Sequence, residues 1–238
     1  MDELWNGFKK IEFEFEGMQA ILVFPKVDNQ KNICMLKTEY FGAFPSFELE
    51  MLGRGYHLTY LANKTRWCLD EDLDRKHRFI KFLSKEYGIS QRVIPVGMSC
   101  GGMIAIKFAA RYPQHISAMF IDAPVINLLS CPAGLGKANS NMFTEFENAT
   151  GMTLADLISY RNHPLDNIDK LIDHKIPICA VCGDSDDVVP YEENGALLYE
   201  KYKDTDAPYK FVIVPGRGHH PHGLDDNSEI IEFIEKFI

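Results

Sequence analysis

Short apolar segments alternate along this chain with segments of helical periodicity, and this alternation restricts the fold more than any other feature. Each apolar segment is hydrophobic at successive positions, as expected of parallel strands that helices cover on both faces. The predicted strands of this kind are 33–38, 56–61, 92–98, 116–122, 176–182 and 211–214. Between two of them, residues 70–87 have acidic residues in the first turn, apolar residues at helical spacing and Gly88 as a stop signal. The alternation predicts a doubly wound, mostly parallel α/β sheet with right-handed crossovers.

The N-terminal part follows a different pattern. Residues 11–16 alternate between apolar and acidic side chains, and the apolar segment 18–24 follows after Gly17. These two segments predict an antiparallel hairpin at one edge of the sheet. With the six segments above, the predicted sheet has eight strands.

One long segment interrupts the alternation. More than 50 residues separate the strand ending at 122 from the strand starting at 176, and a structureless loop of that length is uncommon in a compact domain. We interpret residues 123–175 as a small, lid-like helical insertion with short helices at 142–146 and 154–160. The chain, residues 1–238, is then expected to form a single domain.

Charge and targeting patterns exclude several classes of partner. The chain has 25 basic and 34 acidic side chains, a formal net charge of −9. A nucleic-acid partner requires a basic face, so the charge balance argues against one. The first ten residues lack the basic and apolar regions of a signal peptide, and no stretch approaches the about 18 apolar residues of a membrane span. We therefore expect a cytoplasmic protein without membrane contact and with reduced cysteines.

A serine lies in a glycine-rich turn between a predicted strand and a predicted helix. The segment Gly97-Met98-Ser99-Cys100-Gly101 matches the pattern G-x-S-x-G. In such a turn the serine hydroxyl lies above the strand ends, and the flanking side chains must be small because larger ones would collide with backbone. The N–H of Cys100 then lies at a helix N-terminus, where it can meet a developing oxyanion. The pattern predicts Ser99 as a nucleophile.

Two later loops supply the groups that a serine nucleophile needs, which are a base and an acid that orients the base. The loop after strand 176–182 contains Asp184, Asp186 and Asp187, and the loop after strand 211–214 contains His219, His220 and His222. Both loops begin at the carboxyl ends of strands, where open α/β sheets bind ligands. The order serine, aspartate, histidine predicts a catalytic triad, and at this point more than one aspartate and more than one histidine remain candidates.

With these motifs in this order, the chain resembles the α/β-hydrolase superfamily over nearly its whole length. In that superfamily the acid commonly lies in a G-x-x-D-x-x-V-P loop, which corresponds here to Gly183, Asp186, Val189 and Pro190. The resemblance implies Asp186 as the acid. It implies His219, which follows a glycine, as the base, with His220 as the alternative. It also implies a single α/β-hydrolase domain whose reaction needs no cofactor.

The oxyanion side departs from the superfamily pattern, because no His-Gly motif follows strand 33–38. We expect the backbone N–H groups of Cys100 and Phe41, or of Tyr40 in place of Phe41, to bind the oxyanion. Glu39 occupies the position of the usual histidine, and a carboxylate near an oxyanion must be turned away or paired. Its candidate partners are Lys37, Lys64 and Arg66.

Two other interpretations fit parts of the pattern. The histidines of the last loop, together with Asp225 and Asp226, could ligate a metal. However, no second cluster of ligands appears at helical or strand spacing, so we expect no metal site. A non-catalytic binding protein with a hydrolase fold would be expected to lack one member of the triad, and all three are present here.

The sequence therefore predicts a serine hydrolase that cleaves a small carboxylic ester through an acyl-enzyme. The acidic residues near the predicted acid loop would disfavour an anionic substrate, so a neutral ester is the expected small molecule. These residues are Asp184, Asp186, Asp187, Glu192 and Glu193. Thioester and amide cleavage use the same groups, so a thioesterase or a peptidase is the alternative.

Overall fold

The computed structural model describes residues 3–27, 31–139 and 142–238, and within them nine strands form one sheet. Strands β4 to β9 run parallel, whereas β1, β2 and β3 pair antiparallel and β3 lies antiparallel beside β5. The order across the sheet is β1-β2-β3-β5-β4-β6-β7-β8-β9. The strands are β1 (Glu3–Trp5), β2 (Phe8–Phe15), β3 (Met18–Val23), β4 (Cys34–Lys37), β5 (His57–Leu61), β6 (Val93–Met98), β7 (Met119–Asp122), β8 (Ile178–Gly183) and β9 (Tyr209–Val214). The prediction of a mostly parallel α/β sheet with an antiparallel N-terminal part is confirmed.

The strand count differs from the predicted eight. The additional strand is β1, which pairs with β2 from Glu3 opposite Lys10 to Trp5 opposite Phe8. A strand of three residues is too short to show a period-2 alternation, so the pattern that identifies β2 and β3 gives no signal for β1.

Helices cover both faces of the sheet. Helices α1 and α8 pack on one face, where Phe47 and Ile230 belong to the core, and α2, α3, α6 and α7 pack on the other, where Phe79 and Ile104 do. The helices are α1 (Ser46–Gly53), α2 (Asp70–Tyr87), α3 (Cys100–Arg111), α4 (Phe143–Thr150), α5 (Leu154–Ser159), α6 (Ile168–Asp173), α7 (Gly195–Tyr202) and α8 (Ser228–Glu235). Within the described ranges, no helix combines the length and the apolar character that crossing a bilayer would require.

The long segment 123–175 contains three short helices, α4, α5 and α6, and a 3-10 turn at Pro164–Asn167. The first two lie close to the predicted helices 142–146 and 154–160. Phe146 of α4 and Leu157 of α5 join the core on the face that α2 and α3 cover. The segment is therefore attached to the sheet through its own apolar residues.

Pro95 lies inside the central strand β6, although proline has no N–H to donate. The β6–β7 ladder pairs Val93 with Ile116 and then Val96 with Phe120. Between these pairs the β7 side has one residue more than β6, so a bulge lies opposite Pro95. The backbone of Val96 bonds on the β4 side of β6, because its carbonyl accepts from the Thr38 N–H at 3.0 Å. The proline thus occurs where the ladder is already interrupted.

A buried ion pair joins the end of β4 to α1. Lys37 Nζ donates to Glu48 Oε1 at 2.5 Å, and the two side chains are 1% and 2% exposed. The same ammonium lies 3.5 Å from the carbonyl oxygen of Ala43, in the loop that connects the two elements. Helix α1 is not predicted from the sequence, because the buried Glu48 interrupts its apolar face. The pair fixes the loop that follows β4.

We expect this pair to constrain the fold more than it stabilises it. Lys37→Met or Glu48→Leu alone leaves a buried charge without its partner, so each should lower the free energy of unfolding by about 3–5 kcal/mol. The double substitution should recover most of that loss, because two apolar side chains avoid the desolvation of both charges. Urea unfolding of the three variants measures these differences.

The exposed pair between Lys175 and Asp206 supplies a matched control, with side chains 62% and 74% exposed. Asp206→Asn should leave the free energy of unfolding close to that of the wild type, because an exposed ion pair contributes little. A double variant of the buried pair that is as unstable as the sum of its single variants would contradict this interpretation.

Candidate active site

Ser99 occupies a strained turn between β6 and α3. Its backbone has φ 54° and ψ −121°, a conformation that a non-glycine residue adopts only where its surroundings impose it. A Cβ atom on Gly97 would lie 2.2 Å from the Gly101 carbonyl oxygen, and one on Gly102 would lie 2.5 Å from Pro124 Cβ. The Ser99 N–H donates to the carbonyl of Asp122 at 2.9 Å. Close packing of glycines and a hydrogen bond to β7 therefore hold this turn.

The structure brings Ser99, His219 and Asp186 together. The distance from His219 Nε2 to Ser99 Oγ is 3.1 Å, and that from His219 Nδ1 to Asp186 Oδ2 is 2.7 Å. Asp186 is 6% exposed, and its other oxygen accepts from the N–H groups of Val188 and Val189 at 2.9 and 2.8 Å. These contacts orient one carboxylate toward one ring nitrogen, and the other ring nitrogen toward the hydroxyl. The arrangement can move a proton between Ser99 and His219.

The other candidates for acid and base do not join the hydrogen bonds between Ser99, His219 and Asp186. Asp184 and Asp187 are exposed, and Asp184 accepts from the Gly216 N–H at 2.7 Å. The exposed ring of His220 stacks on Phe44, with ring centroids 5.7 Å apart and planes 17° from parallel. The histidines of this loop thus lie close together but have different partners, and His219 is the one that contacts both Ser99 and Asp186.

A buried carboxylate holds the histidine loop against the sheet. Asp122, the last residue of β7, is 0% exposed and accepts two hydrogen bonds from the Arg217 guanidinium, at 2.8 and 3.1 Å. It also contacts His222 Nδ1 at 3.1 Å and accepts from the Gly223 N–H at 2.8 Å. Sequence reasoning assigned no role to Asp122 or Arg217. The available signal was an aspartate that ends an otherwise apolar central strand.

The two predicted oxyanion donors, the N–H groups of Cys100 and Phe41, lie in different surroundings. Cys100 is the first residue of α3, so its N–H has no acceptor within the helix. The ring of Phe41 packs against Trp5 and Tyr60, with centroids 5.1 and 5.7 Å away. Of the described residues, Tyr40 lines the cavity beside Ser99 and Phe41 does not. The ring of Phe41 is therefore turned toward β1 and β5, and its backbone N–H stays a predicted oxyanion donor.

Tyr40 presents its side chain to the cavity rather than its backbone. Its N–H donates to Glu39 Oε1 at 3.3 Å, whereas its hydroxyl contacts the Arg66 guanidinium and the Cys100 thiol. Burial raises the pKa of Tyr40, so the phenol stays protonated and can donate a hydrogen bond.

Glu39 is paired, but not by the residues that the sequence suggested. Its Oε2 accepts from Asn63 Nδ2 at 2.6 Å, and its Oε1 lies 3.5 Å from the Tyr60 hydroxyl. Lys37 pairs with Glu48 and Arg66 with Glu145 instead. Tyr60 lies at the end of β5 and Asn63 just beyond it. Because β5 is next to β4 in the sheet, the topology brings both side chains to Glu39 across the strand pair.

A cavity of about 350 Å³ opens over Ser99. Its wall is mainly apolar, and Arg66 contributes a permanent charge; Arg66 also donates to Glu145 of α4, with Nε to Oε1 at 2.8 Å. The apolar and aromatic lining residues are Tyr40, Ala43, Phe44, Met98, Met142 and Val188, and the polar ones are Ser99, Cys100, His219, His220 and His222.

The acidic residues near Asp186 do not line this cavity. Glu193 accepts from the Ser130 hydroxyl at 2.5 Å and from the Lys137 N–H at 2.7 Å, and Glu192 pairs with Lys137 Nζ at 3.0 Å. These glutamates are turned toward the loop before α4, so the reason the sequence offered for a neutral substrate loses its support.

We expect Asp122 to be a positioning residue for the histidine loop. Asp122→Asn leaves the buried Arg217 guanidinium without a counter-charge, so the free energy of unfolding should fall by about 3–5 kcal/mol. Asp225→Asn, in the same loop but exposed, should change it by no more than about 0.5 kcal/mol. Thermal unfolding compares the two variants, and equal stabilities would rule out this role for Asp122.

Comparison with known proteins shows which family the chain is similar to. The model of the prolyl oligopeptidase family matches residues 59–238, from β5 to the end of the chain. The chain is 24% identical over 151 residues to the acylamino-acid-releasing enzyme of Rattus norvegicus, a match that covers 62% of this chain and 20% of that enzyme. The matched family region includes Ser99, Asp186 and His219.

Solved structures show the same fold at low identity. Dipeptidyl peptidase 4 of Porphyromonas gingivalis superposes with a TM-score of 0.71 and 15% identity, covering 97% of this chain and 36% of that one. The acylaminoacyl peptidase of Pyrococcus horikoshii superposes with a TM-score of 0.66 and 16% identity, covering 89% and 38%. This chain thus spans about a fifth of the rat enzyme and less than two fifths of each of these structures. It belongs to the prolyl oligopeptidase family and, with that family, to the serine hydrolases of the α/β-hydrolase superfamily.

Proposed function

We propose that this chain is a serine peptidase that cleaves the amide bond of a short peptide or an N-acylated amino acid. The observation that carries the proposal is the hydrogen-bonded series Asp186–His219–Ser99 beneath the cavity, with distances of 2.7 and 3.1 Å. A neutral serine is a poor nucleophile, and this arrangement supplies both the base that takes its proton and the acid that orients the base.

The reaction follows from these positions. Ser99 Oγ attacks the substrate carbonyl carbon, and its proton passes to His219 Nε2. Asp186 keeps the Nδ1–H oriented and stabilises the imidazolium that forms. The C–N bond then breaks as Nε2 gives the proton to the leaving amine. Water, deprotonated by the same nitrogen, hydrolyses the resulting ester of Ser99.

We assign the oxyanion donors to the Cys100 N–H and the Tyr40 hydroxyl. Both border the space above Ser99 Oγ, and hydrogen bonds to the oxyanion are strongest when the donors are oriented before the reaction. The contacts of Tyr40 with Arg66 and Cys100 supply that orientation. This assignment takes the Tyr40 hydroxyl in place of the Phe41 N–H, because Tyr40 lines the cavity and Phe41 does not.

The names of similar proteins favour an amide substrate over the neutral ester suggested by the sequence, and the cavity volume favours a small substrate. The cavity of about 350 Å³ lies at the small end of the roughly 300–1,000 Å³ typical of ligand pockets, which fits one or two residues. Similar proteins are named for releasing acylated amino acids or for cleaving peptides. Ester cleavage uses the same groups and is the alternative. Comparing the turnover of an amide with that of an ester distinguishes the two.

The test compares an N-acetyl amino-acid p-nitroanilide with p-nitrophenyl acetate. A peptidase should hydrolyse both, and Ser99→Ala should lower both rates by at least about 10⁴-fold and abolish labelling by a fluorophosphonate. Turnover of the ester alone would support a carboxylesterase. A folded wild-type chain that is neither labelled nor active would indicate a non-catalytic binding protein.

The neighbouring histidines provide the matched control. His219→Ala should reduce kcat by at least about 10²-fold, as expected for loss of a general base. His220→Ala should reduce it less, because the His220 ring stacks on Phe44. The reverse order would move the role of base to His220.

A further inference from the structure

Three histidines of one loop converge on the cavity. The ring centroids of His219, His220 and His222 are 4.8 to 4.9 Å apart in every pair. Each offers a ring nitrogen, and these nitrogens all lie within 4.8 Å of one another. The three rings are also steeply inclined to one another, at 65°, 81° and 84°, so they surround a common point rather than stack.

Two of the three rings are held from behind by buried carboxylates. His219 Nδ1 lies 2.7 Å from Asp186 Oδ2, and His222 Nδ1 lies 3.1 Å from Asp122 Oδ1. Each carboxylate fixes the ring orientation through Nδ1 and leaves Nε2 free of that contact, and His219 Nε2 lies at the cavity, 3.1 Å from Ser99 Oγ. Ligating histidines in metal sites show this same arrangement, because the carboxylate orients the ring and raises its basicity.

The third ring has more freedom. His220 is exposed and is in contact with Phe44. Tetrahedral Zn²⁺ with Zn–N bonds of about 2.0–2.1 Å brings ligand nitrogens to about 3.4 Å from one another. The nitrogens lie within 4.8 Å of one another, so side-chain rotation, for which the exposed His220 has the most room, has to close the remaining distance.

We propose that His219, His220 and His222 bind a divalent transition-metal ion, best represented by Zn²⁺, through one ring nitrogen each. Imidazole nitrogen is a preferred ligand of Zn²⁺ and of Co²⁺, and three histidines leave a fourth position for water. Asp186 supplies negative charge behind His219, whereas Asp122 is already paired with Arg217 and serves to orient His222; Glu145 compensates the Arg66 charge across the cavity. Asp225 and Asp226, considered as ligands in the sequence, are exposed and take no part.

A metal at this site inhibits the enzyme reversibly. It takes the electron pair of His219 Nε2, so that nitrogen no longer accepts the proton of Ser99. This consequence rests on the proposed function, whereas binding of the ion does not. The site is therefore regulatory for hydrolysis, and the metal takes no part in the reaction.

The test measures binding directly, by competition of Zn²⁺ with a chromophoric chelator and by the visible absorption of tetrahedral Co²⁺. Wild type and Ser99→Ala should each bind one ion per chain. His220→Ala should lose more than the roughly 10–100-fold in affinity that follows removal of a supporting group. His220→Asn is the second variant, and thermal unfolding shows whether each variant keeps its fold.

The matched control is His174→Ala, which removes an exposed histidine outside the histidine loop and should bind Zn²⁺ as wild type does. Equal affinity in wild type and in both folded His220 variants would overturn the proposal, as would the absence of saturable binding to wild type. Zn²⁺ should also slow fluorophosphonate labelling of wild type, and should do so less in His220→Ala. If metal binds as described but no substrate is hydrolysed, the proposed function fails and the metal site stands.

Discussion

Asp122 connects the two halves of the site. Its backbone carbonyl accepts the Ser99 N–H at 2.9 Å, which helps to hold the nucleophile in its strained turn. Its buried carboxylate binds Arg217, His222 and the Gly223 N–H, which holds the loop that carries His219. Loop residues have many accessible conformations, so the 3.1 Å contact between His219 and Ser99 depends on this anchor at the end of β7. One desolvated charge thereby sets the relative position of base and nucleophile.

Local patterns in the sequence predict the parallel sheet, Ser99 and the two loops that carry the candidate acids and bases, because each loop follows a strand and the carboxyl ends of parallel strands meet at one edge. The choice of Asp186 and His219 within those loops came from the resemblance to the α/β-hydrolases. Local patterns do not predict α1, whose buried Glu48 looks like a surface residue until Lys37 is placed beside it. The proposed use of Tyr40 rather than Phe41 rests on which of them lines the cavity, and the Phe41 ring instead contacts Trp5 of β1. Long-range contacts decided each of these points, and no local period reports them.

Net charge is a poor guide to the substrate for a similar reason. The formal charge of −9 includes Glu192 and Glu193, which are neighbours of Asp186 in sequence but bond to Lys137 and Ser130 in space. Inside the cavity the permanent charge is Arg66, held by Glu145 of α4. The segment 123–175 thus contributes to the cavity through its own residues, and the proposed base His219 is also one of the three proposed metal ligands.

A crystal structure of the chain after reaction with a fluorophosphonate would show directly whether Ser99, His219 and Asp186 act as one site with the Cys100 N–H and the Tyr40 hydroxyl. We expect phosphorus bonded to Ser99 Oγ, with the phosphoryl oxygen about 2.7–3.1 Å from both donors. Phosphorus on a different residue, or a phosphoryl oxygen directed away from the Cys100 N–H, would contradict it.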